Sequence, residues 1–366
     1  MAQIQPIDPL HECIEAREER LMQSLDEPEV VTLEQKQDFV RKVWLTFLGR
    51  TPDPEMLAQL VQRLDEGRSP IEFFLDVEAC QEAVERRNRV HEFVPPGHYY
   101  SPVVNPEALK VSSFEERRRS DQLSGLTLDF SAMEEILLQV ASRTNDLSFP
   151  ATATDGHRFY YQNDMFGLGD AIILAGMIRL MKPARIIEVG SGFSSAVMLD
   201  TLDRTPQVAA PLTFIEPYPE RLRKLLRQQD EIRVDIIEKG VQEVAVEVFE
   251  QLGCNDILFL DTTHISKTGS DVNHEIFEIL PRLAPGVVVH FHDIFDCFEY
   301  PSRWIYDENR SWNELYILRS FLMYNDTFEV IFFNDAFARR KAAFAKQNCP
   351  RFMQNPGGGL WLRKKG

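Results

Sequence analysis

Arg185–Ser195, RIIEVGSGFSS, is the stretch on which the fold turns. Ile186, Ile187 and Val189 form a short β-branched run that reads as a buried strand. Gly190 and Gly192 then punctuate a tight turn, and a helix is expected to begin near Ser194. Strand, glycine turn and helix start together make a ligand cradle. Glycine lets the main chain approach a ligand closely, and the first N–H groups of the helix point at whatever lies there.

The residues around the turn narrow the ligand. A dinucleotide fingerprint requires a third glycine where Ser195 stands, and the carboxylate of Glu188 would repel a pyrophosphate. A cation suits Glu188 better, and S-adenosylmethionine carries both a sulfonium and an ammonium. The ExGxG form of these residues resembles the first motif of class I methyltransferases.

On either side the pattern is alternating helix and strand. A helix over Asp170–Met181 (DAIILAGMIRLM) leads into the strand at Arg185. Further strands are expected at 212–216 (LTFIE), 233–237 (RVDII), 256–261 (DILFLD), 287–292 (VVVHFH), 328–333 (FEVIFF) and 359–363 (GLWLR). Alternation of this kind gives a parallel sheet covered by helices, with ligands at the carboxyl ends of the strands. The expected class is α/β, a Rossmann-like seven-stranded methyltransferase sheet with a small N-terminal all-α domain.

The strand ends supply the candidate chemistry. Glu216 closes the second strand, where a carboxylate can accept hydrogen bonds from both hydroxyls of a ribose. Gln242, with Gly240 and Val241, follows the third strand where an adenine would rest. Asp261 ends the fourth strand, and His292 and Asp293 end the fifth. Strand alternation puts His290 and His292 on one face, His292 nearer the ligand edge. His292 can take a proton from an acceptor hydroxyl, with Asp293 and His264 as further catalytic candidates. Alternatively, Asp261, His292 and Asp293 form an oxygen and nitrogen set for Mg²⁺ or another divalent metal. Against these stand plainer roles, Asp293 as a helix cap and His290 as a core residue.

Composition sets the bounds. A formal charge of −17 over 366 residues argues against a nucleic-acid partner, which needs clustered Lys and Arg. Five scattered cysteines without a CxxC pair read as reduced thiols, and no segment has the length of a signal peptide core or a membrane span. A cytoplasmic protein is expected, and a homo-oligomer is compatible with the sequence.

Residues 1–30 read as a lead-in, 31–92 as a helical module, 93–129 as a proline-containing linker and 130–366 as the methyltransferase domain. In the module Thr32 with Gln35 makes a capping box, and the helix it opens is expected to stop at Gly49. A second helix begins near Asp53 and Pro54, and Ser69, Pro70 and Glu72 cap a third. Its FLGRTPDPEMLAQLVQRLDEGRSP resembles a short bacterial helical domain of unknown function, found in proteins some of which are linked to cell-surface glycans.

From about Tyr160 to Leu362 the chain resembles bacterial class I S-adenosylmethionine-dependent methyltransferases of uncharacterised type. The likeness rests on DAIILAGMIRLMKPARIIEVGSGFSSAVMLD, LTFIEPYPERL, DILFLDTTHISKTGSDV, LPRLAPGVVVHFHDIF and WNELYILRSF. It implies that Glu188, Gly190, Ser191 and Gly192, with Ser195 beside them, serve the methionine part, Glu216 the ribose, and Asp261 the region next to the methyl group. Metal-dependent O-methyltransferases carry Asp-Asp or Asp-Asn where this chain has His292-Asp293. The activity expected is O-methylation of a small-molecule or carbohydrate acceptor. An NAD-dependent oxidoreductase and a non-catalytic interaction protein are the alternatives.

Overall fold

A computed structural model describes residues 32–48, 50–67, 69–84, 93–109 and 123–366. The expected lead-in 1–30, the stop at Gly49, the end of the helical module at 85–92 and the charged run 115–121 lie outside the described residues. The chain divides into two compact units, Met1–Asn105 and Pro106–Gly366.

The first unit contains α1 (Leu33–Leu48), α2 (Pro54–Asp65) and α3 (Pro70–Ala79). Each start follows from its capping residue. Thr32 and Gln35 exchange hydrogen bonds of 3.0 and 3.2 Å, Asp53 accepts the Met56 N–H at 2.9 Å, and Ser69 and Glu72 close a reciprocal box. The apolar faces meet in a core built on Val40, Val43, Leu60, Val61, Phe73 and Phe74. Phe47 and Phe74 pack edge to face at 5.0 Å.

The second unit is organised by a seven-stranded sheet of order β3-β2-β1-β4-β5-β7-β6. Its strands are β1 (Ile186–Val189), β2 (Leu212–Ile215), β3 (Val234–Ile237), β4 (Ile257–Leu260), β5 (Val288–Phe291), β6 (Phe328–Phe333) and β7 (Leu360–Lys364). The first five are parallel, whereas β7 runs antiparallel between β5 and β6. Every residue of β1, β4 and β5 is buried, as the strands of a doubly covered parallel sheet should be, Glu188 and His290 being the polar exceptions to their apolar runs. In register, Glu188 of β1 lies beside Phe214 on one neighbour and Phe259 on the other.

Three helices position the site. They are α4 (Phe130–Thr144), α5 (Leu168–Met181) and α6 (Phe193–Asp203). α5 packs against both α4 and α6 and is buried on nearly every side, which is why DAIILAGMIRLM shows no polar stripe. Leu123, Leu126 and Leu128, from the expected linker, join the same core.

Arg158 fastens the chain entering α5 to the far side of α6. Its side chain, 1% exposed, donates to Asp200 at 2.8 Å, Asp203 at 2.7 Å and Asp230 at 2.7 Å, while Asp200 also accepts the Arg158 and Phe159 N–H groups. A buried guanidinium is tolerated only with this degree of pairing. Further along the segment it holds, Tyr160 packs on Phe193 at 5.2 Å and Phe166 on the His292 ring at 5.0 Å.

Candidate functional site

The carboxyl ends of the parallel strands meet at one edge of the sheet. After β1, Gly190 has φ of +79°, and a Cβ placed there would lie 1.7 Å from the Asp261 carbonyl oxygen. Only glycine lets the β1 and β4 loops approach so closely. The Gly192 N–H donates to the Ser195 hydroxyl at 2.9 Å, and that hydroxyl donates to Glu188.

The Glu188 carboxylate is turned toward Ser195. It is fully buried behind the loop and braces the turn through Ser195, itself fully buried. Its second carboxylate oxygen has no hydrogen-bond partner among the described residues. Burial pushes the Glu188 carboxyl up to about 8, against the lowering effect of the Ser194 and Ser195 hydroxyls.

Glu216, at the end of β2, joins neighbouring loops. It accepts the Ser191 N–H at 3.0 Å and the Tyr218 N–H at 2.9 Å, and burial raises its pKa. Gln242 is exposed after β3, and its side-chain amide donates to the Gly269 carbonyl at 3.0 Å.

Asp261, His264, His292 and Asp293 come together beyond β4 and β5. His264 Nε2 lies 3.5 Å from an Asp261 oxygen and 3.7 Å from an Asp293 oxygen, while His292 Nε2 is 3.6 Å from the other Asp293 oxygen. His264 and Asp293 have φ of +60° and +55°. Such conformations cost a non-glycine residue energy and gather where function requires a fixed geometry.

The structure adds three residues that the strand-end reading did not supply. His264 Nδ1 meets Glu314 Oε2 at 2.7 Å, from the first turn of α7 (Glu314–Leu322). Asp170, in the first turn of α5, is buried and accepts the Asn334 side-chain amide at 2.9 Å. Its carboxylate fills the space that Gly357 leaves, since a Cβ on Gly357 would lie 1.6 Å from Asp170 Oδ2. An acid opening an otherwise apolar helix and the WNE of WNELYILRSF were the available signals.

Four carboxylates thus face two imidazoles. Burial raises Asp170 to about 7 and pushes Asp293 and Glu314 up, the last opposed by its bond to His264. Burial also acts on Asp261, but His292 and His264 more than offset it and hold this carboxyl below the usual range. His264 and His292 are raised because their carboxylate neighbours outweigh burial. His290 behaves oppositely. Stacked on Phe259 at 4.1 Å with both nitrogens unpartnered, it is driven well below the usual imidazole value by burial and takes the core role.

The three expected metal ligands, two carboxylates and an imidazole, have suitable chemistry for a hard divalent ion. Yet among the described residues no group of three or more His, Cys, Asp or Glu is disposed to hold one. A cavity of about 370 Å³, lined by Asn145, Phe149, Tyr161, Leu168, Arg351 and Gln354 among others, takes none of these acids or imidazoles into its wall.

A family described as a methyltransferase domain matches residues 187–294, from inside β1 to just beyond β5. An uncharacterized protein of Archaeoglobus fulgidus is 30% identical over 184 residues, 48% of this chain and 80% of that protein. The chain carries a methyltransferase domain. A methyltransferase domain stands against the nicotinamide alternative. Among solved structures, a methyltransferase of Podospora anserina bound to S-adenosylhomocysteine is 16% identical, covering 70% of this chain and 95% of its own, at a TM-score of 0.36. For a putative O-methyltransferase from Klebsiella pneumoniae the values are 15%, 63%, 90% and 0.32. Among the described residues, no helix of this methyltransferase is long and apolar enough to cross a membrane.

Proposed function

We propose that this methyltransferase methylates a hydroxyl oxygen on a small-molecule or carbohydrate acceptor, and that His264 takes the acceptor's proton. One observation carries the reading: His264 is held at Nδ1 by Glu314 at 2.7 Å, while Nε2 turns toward Asp261 and Asp293 at the strand ends. This arrangement supports His264 over His292, whose Nδ1 is buried without a partner. The helical module's likeness to glycan-associated proteins supports a carbohydrate among the acceptors.

S-adenosylmethionine supplies an electrophilic methyl on a sulfonium. The backbone of Gly190–Gly192 and the Glu216 carboxylate would hold it, with Asp261 beside the reacting end. Asp261 and Asp293 attract a proton to His264. A cation brought next to Asp261 weakens that attraction and leaves Nε2 better able to accept the acceptor's proton. Alignment of oxygen and methyl supplies the largest share of the acceleration, an effect that reaches about 7–11 kcal/mol in well-oriented systems.

Labelled S-adenosylmethionine incubated with fractionated small metabolites and envelope glycans, followed by mass spectrometry, identifies the acceptor. An O-methylated product is expected, and an N-methylated one overturns the assignment. His264→Ala is expected to slow transfer about 10²–10⁴-fold. Full activity in His264→Ala with loss in His292→Ala would return the base to β5. Activity that EDTA abolishes and Mg²⁺ restores would overturn this metal-free reading.

A further inference from the structure

The proton acceptor needs a fixed ring, and a contiguous tripeptide far away in sequence supports it. We propose that Trp312-Asn313-Glu314 is a positioning clasp for His264, an inference that rests on His264 being the base. Each of the three residues grips the loop 264–266 in a different way. Trp312 lays its ring against the imidazole, with centroids 4.4 Å apart. Asn313 accepts the Ser266 N–H at 2.5 Å and donates its amide to the Ser266 carbonyl at 3.2 Å. Glu314 meets His264 Nδ1 at 2.7 Å, and the N–H groups of Asn313 and Glu314 both donate to the His264 carbonyl at 3.1 Å.

The grip explains how His264 stays at φ of +60°, a conformation its own side chain disfavours. Two backbone donors on its carbonyl and a paired amide two residues later fix the turn, while the Glu314 bond and the Trp312 face hold the ring on it. Trp312 is itself supported on the outside by the Arg310 guanidinium, 4.6 Å from its ring and 4.3 Å from that of Trp304. Arg310 is anchored by Glu308 at 2.7 Å. Glu314 keeps a proton on Nδ1, so that proton exchange with an acceptor takes place at Nε2. The division of labour is that of an acid orienting a histidine base.

The test uses the full chain with ¹⁵N-labelled histidine and bound S-adenosylhomocysteine, together with methyl transfer to the accepting fraction. The His264 Nδ1–H proton, assigned by its loss in His264→Gln, is expected at low field. Glu314→Gln should move it upfield and slow transfer about 10²-fold at saturating donor, with affinity for S-adenosylhomocysteine within about twofold. Trp312→Ala should slow transfer about tenfold or more, and Trp312→Phe, which keeps a ring against the imidazole, should restore most of it. Unchanged transfer in both Glu314→Gln and Trp312→Ala, with loss in His264→Ala, overturns the clasp and leaves the base in place. Unchanged transfer in His264→Ala overturns the base, and the clasp with it.

Discussion

Replacing Glu188 by glutamine tests how the donor loop is braced. The folded chain raises this carboxyl from the ordinary 4.5 to about 8, chiefly by burial. The folded state therefore binds the proton more tightly than the unfolded chain does. Stability from this group is fully present below the unfolded value, falls as pH rises from about 4.5 to about 8, and levels off above. At about 1.4 kcal/mol per pKa unit, the loss across that window is up to about 5 kcal/mol. Glu188→Gln keeps an oxygen for the Ser195 hydroxyl and cannot ionise. Its new amide hydrogens lack an evident acceptor, a cost of about 1–3 kcal/mol that does not vary with pH. The variant is thus expected to be less stable than the parent near pH 5 and more stable near pH 8.5. Urea unfolding of the second unit, followed through Trp304, Trp312 and Trp361 at a series of pH values, measures the difference. A stability difference that stays constant from pH 5 to 8.5 would refute the reasoning.

Other consequences can be checked with single substitutions. Gly190→Ala sets a methyl against the Asp261 carbonyl at 1.7 Å and forces a positive φ on alanine; calorimetry should find S-adenosylhomocysteine affinity lowered by at least about tenfold, and normal affinity would contradict the packing of the β1 and β4 loops. Asp230→Asn removes one charge from the Arg158 cluster, and a loss of about 3–5 kcal/mol is expected in chemical denaturation. A loss below about 1 kcal/mol would show that Asp200 and Asp203 suffice. His290→Leu deletes two unpartnered nitrogens and should change stability by no more than about 1 kcal/mol while leaving donor binding intact; loss of donor binding would give His290 a role in the site.

Much of this architecture is legible in the residues because each strand is a short apolar run between strong turn signals. The strands read at 212–216, 256–261 and 287–292 occur at Leu212–Ile215, Ile257–Leu260 and Val288–Phe291. Asp261, His292 and Asp293 were accessible for the same reason, since each directly follows such a run. Asp170 and Asn334 are 164 residues apart, and His264 and Glu314 are 50 apart, so only the folded chain joins them. The partners of the Glu188 carboxylate are not legible in the same way, because a motif gives a residue's neighbours in sequence, not the face to which its side chain turns. Between Phe214 and Phe259, and bonded to Ser195, Glu188 looks inward.

The placement of β7 carries a consequence for biosynthesis. Among the described residues β6 pairs with β7 alone, and β7 separates it from β5. While residues 360–364 are still on the ribosome, the nascent chain holds an unzipped β6 and a bare β5 flank, although β1 to β5 can already assemble. Exposed strand flanks of this kind invite misassembly. Closing the sheet is then the insertion of one short ribbon into a gap between two waiting partners, and a chaperone that shields this gap would raise the yield of active enzyme without touching the catalytic edge.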